Sequence, residues 1–328
     1  MKISINIKSL SFLSFLFLAT FYVTSALSID SIARAPECTG NSTGTIDPSG
    51  VISSSVDKCD VQPDIQKLTF YSITLCAAKP TPPTSTTAHD LSNCSTWYEN
   101  ASGSEVTVAN GTATQIGTEA DYSVVPFGNY TYAIMEFDPV FKFKTSMTMD
   151  VVVNDFRAGT SGYSGSTTCV TKVTTRSDKI VYGYEDFSGT ALANYNQSNV
   201  DCASGAVAEE ISVGLNVTNV DSNANCIFDG SYAGTDETVE AYAVKSDGKL
   251  QTTGGACTAS TSNSVSRLFG YLPVSLDIDD RTTGFQIRYN NTRGLGLLFD
   301  NGGTPADPFT LQKIELAFFD MTGTLIKN

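Results

Sequence analysis

Apolar and polar residues alternate along much of the chain, most regularly from Gly128 to Lys144. Successive side chains of an extended chain point to opposite faces, so this run has apolar residues on both faces before Asp138 and on one face after Pro139. Because Pro cannot donate a ladder hydrogen bond, Asp138-Pro139 is expected to form a bend. We predict a core hairpin whose first strand, Tyr130–Phe137, is covered on both faces, by this chain or by a second copy.

The same alternation recurs in short runs rich in β-branched and aromatic residues, each closed by Gly, Asn, Asp or Ser. No stretch of about 12 residues shows an apolar stripe at helical spacing. The pattern predicts an all-β protein, an antiparallel β-sandwich of the jelly-roll or immunoglobulin-like type. The other predicted strands include IQKLTFYSITLC, SEVTV, SMTMDVVV, KIVYGYEDF, EEISVGLNV, TVEAYAV, RLFGYLPVSLDI, GFQIRYN, GLGLLFD and LQKIELAFFDM.

A targeting segment and a Gly- and Ser-rich break divide the chain. Lys2 and Lys8, an apolar run and a small-residue cleavage site form the pattern of a secretory signal peptide. The segment RAGTSGYSGSTTC, residues 157–169, is the best candidate for a domain boundary. The predicted organisation is a signal peptide (1–26), an extended N-terminal arm (27–60), a first β-sandwich domain (61–157) and a second β domain (158–328).

Charge and hydropathy restrict the partners. The chain has 20 Lys and Arg against 34 Asp and Glu; without Lys2 and Lys8 there are 18 basic residues and the formal charge is −16. Such a surface repels phosphate backbones, so nucleic acid is not expected as a partner. After the leader no apolar run approaches the roughly 18 residues of a membrane-spanning helix. The mature protein is therefore expected to be exported and soluble, either secreted or at the cell surface.

Eight cysteines after an export signal indicate a set of disulfides. A zinc site needs closely spaced ligands, and the chain contains no Cys-x-x-Cys. The cysteines fall into two groups of four, which favours local pairs among the many connectivities that eight cysteines allow. The predicted pairs are Cys38–Cys59, Cys76–Cys94, Cys169–Cys202 and Cys226–Cys257.

Catalytic chemistry has little support in the sequence. The one histidine, His89, lies in a Pro- and Thr-rich loop, where a solvent-exposed position is expected. The segment GTSGYSG misses the spacing of a nucleophile elbow, and nothing selects a carboxylate pair for glycoside hydrolysis. We predict no catalytic residue and no enzyme. Trp97 and Tyr98 could stack on a sugar, although a lone Trp in a β protein more often packs in a core.

Two acidic turns are candidate calcium sites. They contain Asp221, Asn223 and Asn225, and Asp277, Asp279 and Asp280. The first has Cys226 where the loop of an EF-hand needs Gly. Asp and Asn are also the ordinary residues of β-turns, so turn formation is the preferred interpretation and no cofactor is predicted.

Acceptor sequences for N-linked glycosylation, Asn-x-Ser/Thr, are in excess. The chain has eight, against roughly four or five expected from composition. They predict exposed loops and strand edges in a glycoprotein, and TPPTSTT is a further candidate for O-linked sugar. The acceptor residues are Asn41, Asn93, Asn100, Asn110, Asn129, Asn196, Asn216 and Asn290.

The export signal, the paired cysteines, the dense short strands and the run GNYTYAIMEFDPVFKFK together resemble secreted β-sandwich surface and fibre subunits, pilin-like in the broad sense. The alternating C-terminal residues Ile314, Leu316 and Phe318 add to this resemblance. It covers most of the mature chain but is architectural, so it assigns no functional residue. It implies a structural or adhesive extracellular protein, here a glycosylated filament subunit that self-associates by strand addition.

Three functions stay open, in this order. The first is that subunit, in which the segment LSIDSIARA, residues 27–35, donates a strand to a neighbouring copy; a disordered N-terminus is the alternative for this segment. The second is a carbohydrate-binding, lectin-like module that uses Trp97, Tyr98 and an acidic loop. The third is a secreted hydrolase that uses a carboxylate pair.

Overall fold

Strands and short connections make up most of the computed structural model. It describes residues 36–49, 58–108, 114–155, 164–172, 200–214, 216–217, 227–231, 238–250, 257–258, 265–300, 309–317 and 320–327. Short 3-10 turns lie at Asn41–Thr43 and Glu119–Asp121. The strands of these residues are β1 (Thr45–Ile46), β2 (Lys58–Val61), β3 (Ile65–Cys76), β4 (Cys94–Val108), β5 (Gly128–Phe137), β6 (Val140–Lys144), β7 (Ser146–Asp155), β8 (Ser166–Thr171), β9 (Val200–Asp201), β10 (Ile211–Gly214), β11 (Asn216–Val217), β12 (Ile227–Ser231), β13 (Thr238–Val244), β14 (Cys257–Thr258), β15 (Arg267–Ile278), β16 (Thr282–Asn290), β17 (Leu295–Asp300), β18 (Thr310–Leu316) and β19 (Asp320–Lys327).

Two large sheets form the body of the described residues. A 7-stranded sheet has the order β2-β17-β18-β7-β8-β9, with β1 beside β7. An 8-stranded sheet has the order β10-β6-β3-β5-β15-β13-β12, with β4 on the other side of β3. Two further pairs, β11–β14 and β16–β19, form separate ribbons. Most pairings are antiparallel, whereas β1 and β18 pair with β7 in parallel. The prediction of an all-β, sandwich-like protein is confirmed.

The main core lies between the two large sheets. Alternate residues of each strand point inward, so Leu68 of β3 and Met149 of β7 are buried in the same cluster. The β16–β19 ribbon covers a further part of the eight-stranded sheet, where its Phe285 and Leu325 pack against a cluster that includes Ala133. Burial of these side chains is the dominant favourable contribution to folding.

The run from Gly128 to Lys144 forms one interrupted strand. Both β5 and β6 pair antiparallel with β3: Phe137 of β5 lies opposite Phe70, and Lys142 of β6 lies opposite Lys67. The two strands therefore lie end to end along one side of β3. On the side away from β3 the two strands have different neighbours, because β5 pairs with β15 and β6 pairs with β10. The predicted hairpin was wrong.

A bulge at Asp138 and Pro139 replaces the predicted bend. The Asp138 N–H donates to the Thr69 carbonyl at 2.9 Å, so the chain stays bonded to β3. The Asp138 carboxylate accepts the Val140 N–H at 2.8 Å and the Tyr71 hydroxyl at 3.2 Å. A bulge gives Pro139 a place inside a sheet where its missing N–H breaks no ladder bond. An Asp-Pro pair can therefore lie in a bulge within a strand as well as in a bend between two strands.

Both faces of β5 are covered by this chain. Met135 belongs to the main core, and Ile134 packs on the outer face with Phe269. The Pro-rich loop, residues 77–93, lies over that outer face, where Leu91 packs against the same cluster. The double-sided pattern needs no second copy as its cover.

The structure confirms three of the predicted disulfides. They are Cys38–Cys59, Cys76–Cys94 and Cys169–Cys202. Cys226 lies outside the described residues, and so does the side chain of Cys257. A bridge that closes a loop of this size contributes roughly 3 kcal/mol by restricting the unfolded chain.

Parts of the predicted arm and of both predicted domains share the sheets. β1 and most of β2 lie within residues 27–60, and both strands belong to the seven-stranded sheet. The β5–β15 and β7–β18 pairs join strands from either side of residue 157, and all described residues fall within one compact unit, residues 31–328. Residues 1–35 and 156–163 lie outside the described residues. No helix within the described ranges is long and apolar enough to cross a membrane.

Candidate functional site

The only histidine lies between the Pro-rich loop and the outer face of the eight-stranded sheet. The ring centroids of His89 and Phe269 are 4.3 Å apart, and His89 Nδ1 lies 3.3 Å from Tyr271 Oη. Burial lowers the pKa of His89 below its ordinary 6.5, so the ring is neutral at neutral pH. The predicted solvent-exposed position was wrong, because the loop folds back onto β15.

The groups around His89 fasten the loop and are poorly suited to acid–base chemistry. Burial raises the pKa of Tyr271 well above its ordinary value, so its hydroxyl stays protonated and is both a weak acid and a poor nucleophile. Beside it, Glu240 accepts the Tyr242 hydroxyl, and its other oxygen lies 2.5 Å from Lys79 Nζ. These contacts tie the start of the loop to β13.

The predicted sugar-stacking pair is used for packing. The side chain of Tyr98 is 0% exposed and belongs to the main core, so it cannot meet a sugar. The Trp97 ring is half-buried and meets Tyr122 and Phe285 edge-on, at centroid distances of 4.8 and 5.4 Å. Both residues therefore pack in the core, as the alternative interpretation predicted. Tyr98 is not available for the sugar stacking that the lectin hypothesis requires.

The described acidic turn carries ion pairs. Asp279 Oδ2 lies 2.5 Å from Arg281 Nη2 and 3.1 Å from Lys327 Nζ. The hydrogen bond from Arg281 is the main reason that the pKa of Asp279 falls well below its usual range. Within the described ranges no group of three His, Cys, Asp or Glu could hold a metal ion. The other two predicted calcium-site residues of this turn are Asp277 and Asp280. The other predicted calcium site, with Asp221, Asn223 and Asn225, lies outside the described residues.

The second half of β4 is paired with β3 on one side. The Thr69 carbonyl accepts the Asp138 N–H, so Thr69 directs its backbone groups toward β5 and β6. Backbone groups alternate sides along an antiparallel strand. Leu68 therefore directs its N–H and C=O toward β4, where it lies opposite Val106.

By the same alternation, the N–H and C=O of Glu105 and Thr107 point away from β3. Among the described residues these backbone groups meet only the Thr114 hydroxyl, which donates to the Thr107 carbonyl at 3.4 Å. We call Ser104–Val108 the open β4 edge. This edge could not be predicted from local pattern, because the position of a strand within its sheet depends on residues far away in the chain.

The first half of the same strand is closed. The Ser123 N–H donates to the Trp97 carbonyl at 2.8 Å. Between the two halves, Asn100–Gly103 bulge out of the ladder, and Gly103 adopts a φ of 77° that favours glycine. The bulge therefore marks the point at which the open β4 edge begins.

Ion pairs neutralise the one charged side chain of the open β4 edge. Glu105 lies 3.3 Å from Lys67 Nζ and 2.5 Å from Lys142 Nζ. The hydrogen bond from Lys142 is the largest cause of the lowered pKa of Glu105. These partly exposed pairs each contribute at most about 1 kcal/mol, but they cancel much of the charge beside the edge.

The residues that directly follow the segment 27–35 lie on a different sheet edge. The Asp60 N–H donates to the Pro36 carbonyl at 2.8 Å, and the Cys38 N–H donates to the Asp60 carbonyl at 2.9 Å. Glu37 and Asp60 thus form a parallel bridge beside β2, the outermost strand of its sheet. Residues 27–35 are joined directly to this bridge.

An apolar loop precedes β5. Val124 and Phe127 are 97% and 71% exposed, although the loop is anchored: Val125 is buried, and the Tyr130 hydroxyl donates to the Pro126 carbonyl at 2.8 Å. We call Val124–Phe127 the apolar tip. The apolar tip was not predicted, although the run VVPF just before Gly128 carried the signal.

Two of the predicted glycosylation residues use their side-chain amide within the fold. Asn41 Nδ2 donates to Glu37 Oε1 at 2.8 Å and to the Thr292 carbonyl at 3.2 Å. Asn100 Nδ2 donates to the Ser104 hydroxyl at 3.2 Å.

Three others are exposed. The Nδ2 atoms of Asn93, Asn129 and Asn290 make no hydrogen bond to the described residues, and Asn290 Oδ1 accepts the Thr292 N–H at 3.1 Å. Asn110 and Asn196 lie outside the described residues, and only the backbone of Asn216 is described.

Comparison with known proteins finds no match among family models, curated proteins or solved structures. The geometry of the chain is then the only guide to function. Of the described features, the open β4 edge is the strongest candidate functional site, because its backbone groups are placed to pair with one more strand.

Proposed function

We propose that this chain is an extracellular structural or adhesive protein whose copies self-associate by β-strand addition. The observation that carries the proposal is the open β4 edge, where Glu105 and Thr107 direct backbone donors and acceptors away from β3. The donor is the segment 27–35 of a neighbouring copy.

The alternation of the donor suits the two faces of this edge. Val106 is buried on the core side of β4, whereas Glu105 and Thr107 are exposed on the other side. Leu27 and Ile29 of the donor would extend the apolar side, and Ser28 and Asp30 would join the wet side. The open β4 edge is about 17 Å long at about 3.4 Å per residue, which nine extended residues can cover.

Charge does not bar a partner strand. Natural proteins protect sheet edges with charges and bulges, and β4 has both, at Glu105 and at Asn100–Gly103. The Glu105 charge is offset by Lys67 and Lys142, and the bulge lies before the open β4 edge. The remaining edge is suited to accept one strand of limited length.

The chemistry of the chain supports an extracellular location. The three disulfides are typical of an oxidising compartment. The acidic net charge keeps separate copies soluble, so association depends on a specific pairing of strands.

A proline at Thr107 tests the proposal. The Thr107 N–H points away from β3, so Thr107→Pro removes a donor from the open β4 edge without removing a bond to β3. The matched control, Thr107→Val, keeps the N–H. Light scattering coupled to size exclusion is expected to show assembly for the native protein and for T107V, and a monomer for T107P.

Thermal unfolding of T107P checks that the variant is folded. A folded T107P that assembles as the native protein does would contradict strand addition at this edge.

A further inference from the structure

We propose that N-linked glycans are carried at Asn93, Asn129 and Asn290, and that Asn41 is a structural hydrogen-bonding residue whose acceptor sequence stays empty in the folded protein. This inference goes beyond self-association and shares with it only the export of the chain. It rests on a difference between the side-chain amides: Asn41 Nδ2 donates hydrogen bonds within the fold, whereas the Nδ2 atoms of the other three residues donate none to the described residues.

Glycan transfer needs a hydrogen on the side-chain amide nitrogen. Nδ2 forms a bond to the anomeric carbon of a sugar, the bond from that carbon to a lipid pyrophosphate donor breaks, and one Nδ2 proton leaves with the lipid pyrophosphate. The secretory pathway of the host supplies this donor. The modified Asn keeps one Nδ2 hydrogen and gains a bulky, water-seeking substituent that must lie at the surface.

Asn93 and Asn129 meet these demands at one end of the eight-stranded sheet. Ala77, which follows β3, joins the two positions: its N–H donates to the Asn93 carbonyl at 3.3 Å, and its carbonyl accepts the Thr131 hydroxyl at 3.0 Å. Thr131 is the third residue of the Asn129 acceptor sequence. Both asparagine side chains are exposed, so two sugars fit there without displacing a described hydrogen bond.

Asn290 is open in the same way. Its Oδ1 accepts the Thr292 N–H at 3.1 Å, while its Nδ2 makes no hydrogen bond to the described residues. Asn100 differs from them, because its side-chain amide donates to the Ser104 hydroxyl at 3.2 Å and also to the Asp121 carboxylate, whose pKa this bond helps to lower.

Asn41 uses all of its amide. Its Nδ2 donates to Glu37 Oε1 and to the Thr292 carbonyl, and its Oδ1 accepts the Gln62 N–H at 3.1 Å. A sugar on Nδ2 would displace one of the two donated bonds and occupy the contact with Glu37 or Thr292. Transfer takes place on a chain that is still extended, so copies modified at Asn41 fold less well and are depleted from the secreted protein.

Site mapping on the full chain, secreted from eukaryotic cells with its own leader, tests the inference. An amidase that removes N-linked glycans in heavy-oxygen water converts each occupied Asn to a labelled Asp, which peptide mass spectrometry then locates. We expect label at Asn93, Asn129 and Asn290, and none at Asn41. Label at Asn41 equal to that at Asn129, or none at both Asn93 and Asn129, would overturn the inference.

Retention of the chain inside the cell would instead contradict the export on which the proposed function depends. In that case the protein is secreted with a host leader in place of residues 1–26, and the same site mapping on that protein tests the glycan sites.

Matched variants separate the two roles of an acceptor sequence. Thr131→Ala is expected to lose one glycan mass and Thr131→Ser to keep it. Thr43→Ala destroys the Asn41 acceptor sequence but keeps the Asn41 bonds, so we expect no change in glycan mass. Asn41→Gln is also expected to keep the glycan mass but to lower the midpoint of unfolding. Loss of one glycan mass in T43A would overturn the structural assignment of Asn41.

Discussion

The Phe70 and Phe137 rings lie 4.8 Å apart, centroid to centroid, where the interrupted strand passes from β5 to β6. The two residues lie opposite each other across β3 and β5, and the bulge at Asp138 follows immediately. This pair belongs to the main core and keeps the strand in line with β3. The bulge then lets β6 leave β15 and pair with β10.

The Asp138 carboxylate is expected to stabilise this bulge. Asp138→Ala removes the bonds to the Val140 N–H and the Tyr71 hydroxyl, and the free energy of unfolding should fall by about 1 to 3 kcal/mol. Tyr71→Phe removes only one of the two bonds and should cost less. Urea unfolding of the two variants checks the order. A D138A variant as stable as the native protein would show that the bulge does not need the carboxylate.

Stability should fall as the pH is lowered through the range in which His89 titrates. Burial holds the folded-state pKa of His89 below 6.5, so the unfolded chain binds a proton first. The free energy of unfolding is therefore highest above the unfolded pKa and decreases as the pH falls below it. Tyr271, which faces His89, stays neutral throughout because its pKa is raised.

This pH dependence can be assigned because the chain has one histidine. Urea unfolding of the native protein between about pH 7.5 and about pH 5 should show the loss, and His89→Gln should remove most of it. The carboxylates with lowered pKa titrate below this range; they are Asp90, Glu105, Asp121, Asp247 and Asp279. Equal pH dependence in the native protein and H89Q would contradict the burial of His89.

Gln66 is expected to reduce stability. Its side chain is 0% exposed in β3, and neither its Oε1 nor its Nε2 has a hydrogen-bond partner among the described residues. Gln66→Met keeps the volume and removes the buried polar atoms, so the free energy of unfolding should rise by about 1 to 3 kcal/mol. The matched change at an exposed position, Gln286→Met, should alter it by less than about 0.5 kcal/mol. A loss of stability in Q66M would show that the amide is bonded after all.

Local pattern predicted many of the strands and three disulfides, but not the arrangement of the strands. It missed β19 and also β8, which begins inside the predicted Gly- and Ser-rich break, and the predicted strand KIVYGYEDF lies outside the described residues. Period-2 alternation identified β3, yet the register shift near Tyr71 lets both Leu68 and Ile73 face the core, a change of face that alternation alone cannot show. The pairing of β5 with β15 joins residues far apart in the chain. Such neighbours are chosen by tertiary packing, which local propensity does not contain.

The candidate site was predictable only in part. The donor segment 27–35 was visible as a loose alternation, whereas Glu105 and Thr107 look like any other polar residues of a strand. Their importance comes from the position of β4 on the outer side of β3. His89 was misjudged for a related reason, because a Pro-rich loop can fold back onto a sheet as readily as it can project into water.

The apolar tip offers a different explanation of self-association. Val124→Ser combined with Phe127→Ser would remove the exposed apolar side chains without touching the anchor, Val125. We expect this variant to assemble as the native protein does, as measured by light scattering. Loss of assembly would place the contact at the apolar tip and not at the open β4 edge.

A mixing experiment tests strand addition most directly. A protein lacking residues 27–35 has no donor but keeps the open β4 edge, and Thr107→Pro keeps the donor but blocks the edge. Sedimentation velocity should show each variant alone as a monomer and their equimolar mixture as a dimer, while the native protein forms larger species. A mixture that stays monomeric, or a deletion variant that still assembles alone, would contradict strand addition between residues 27–35 and the open β4 edge.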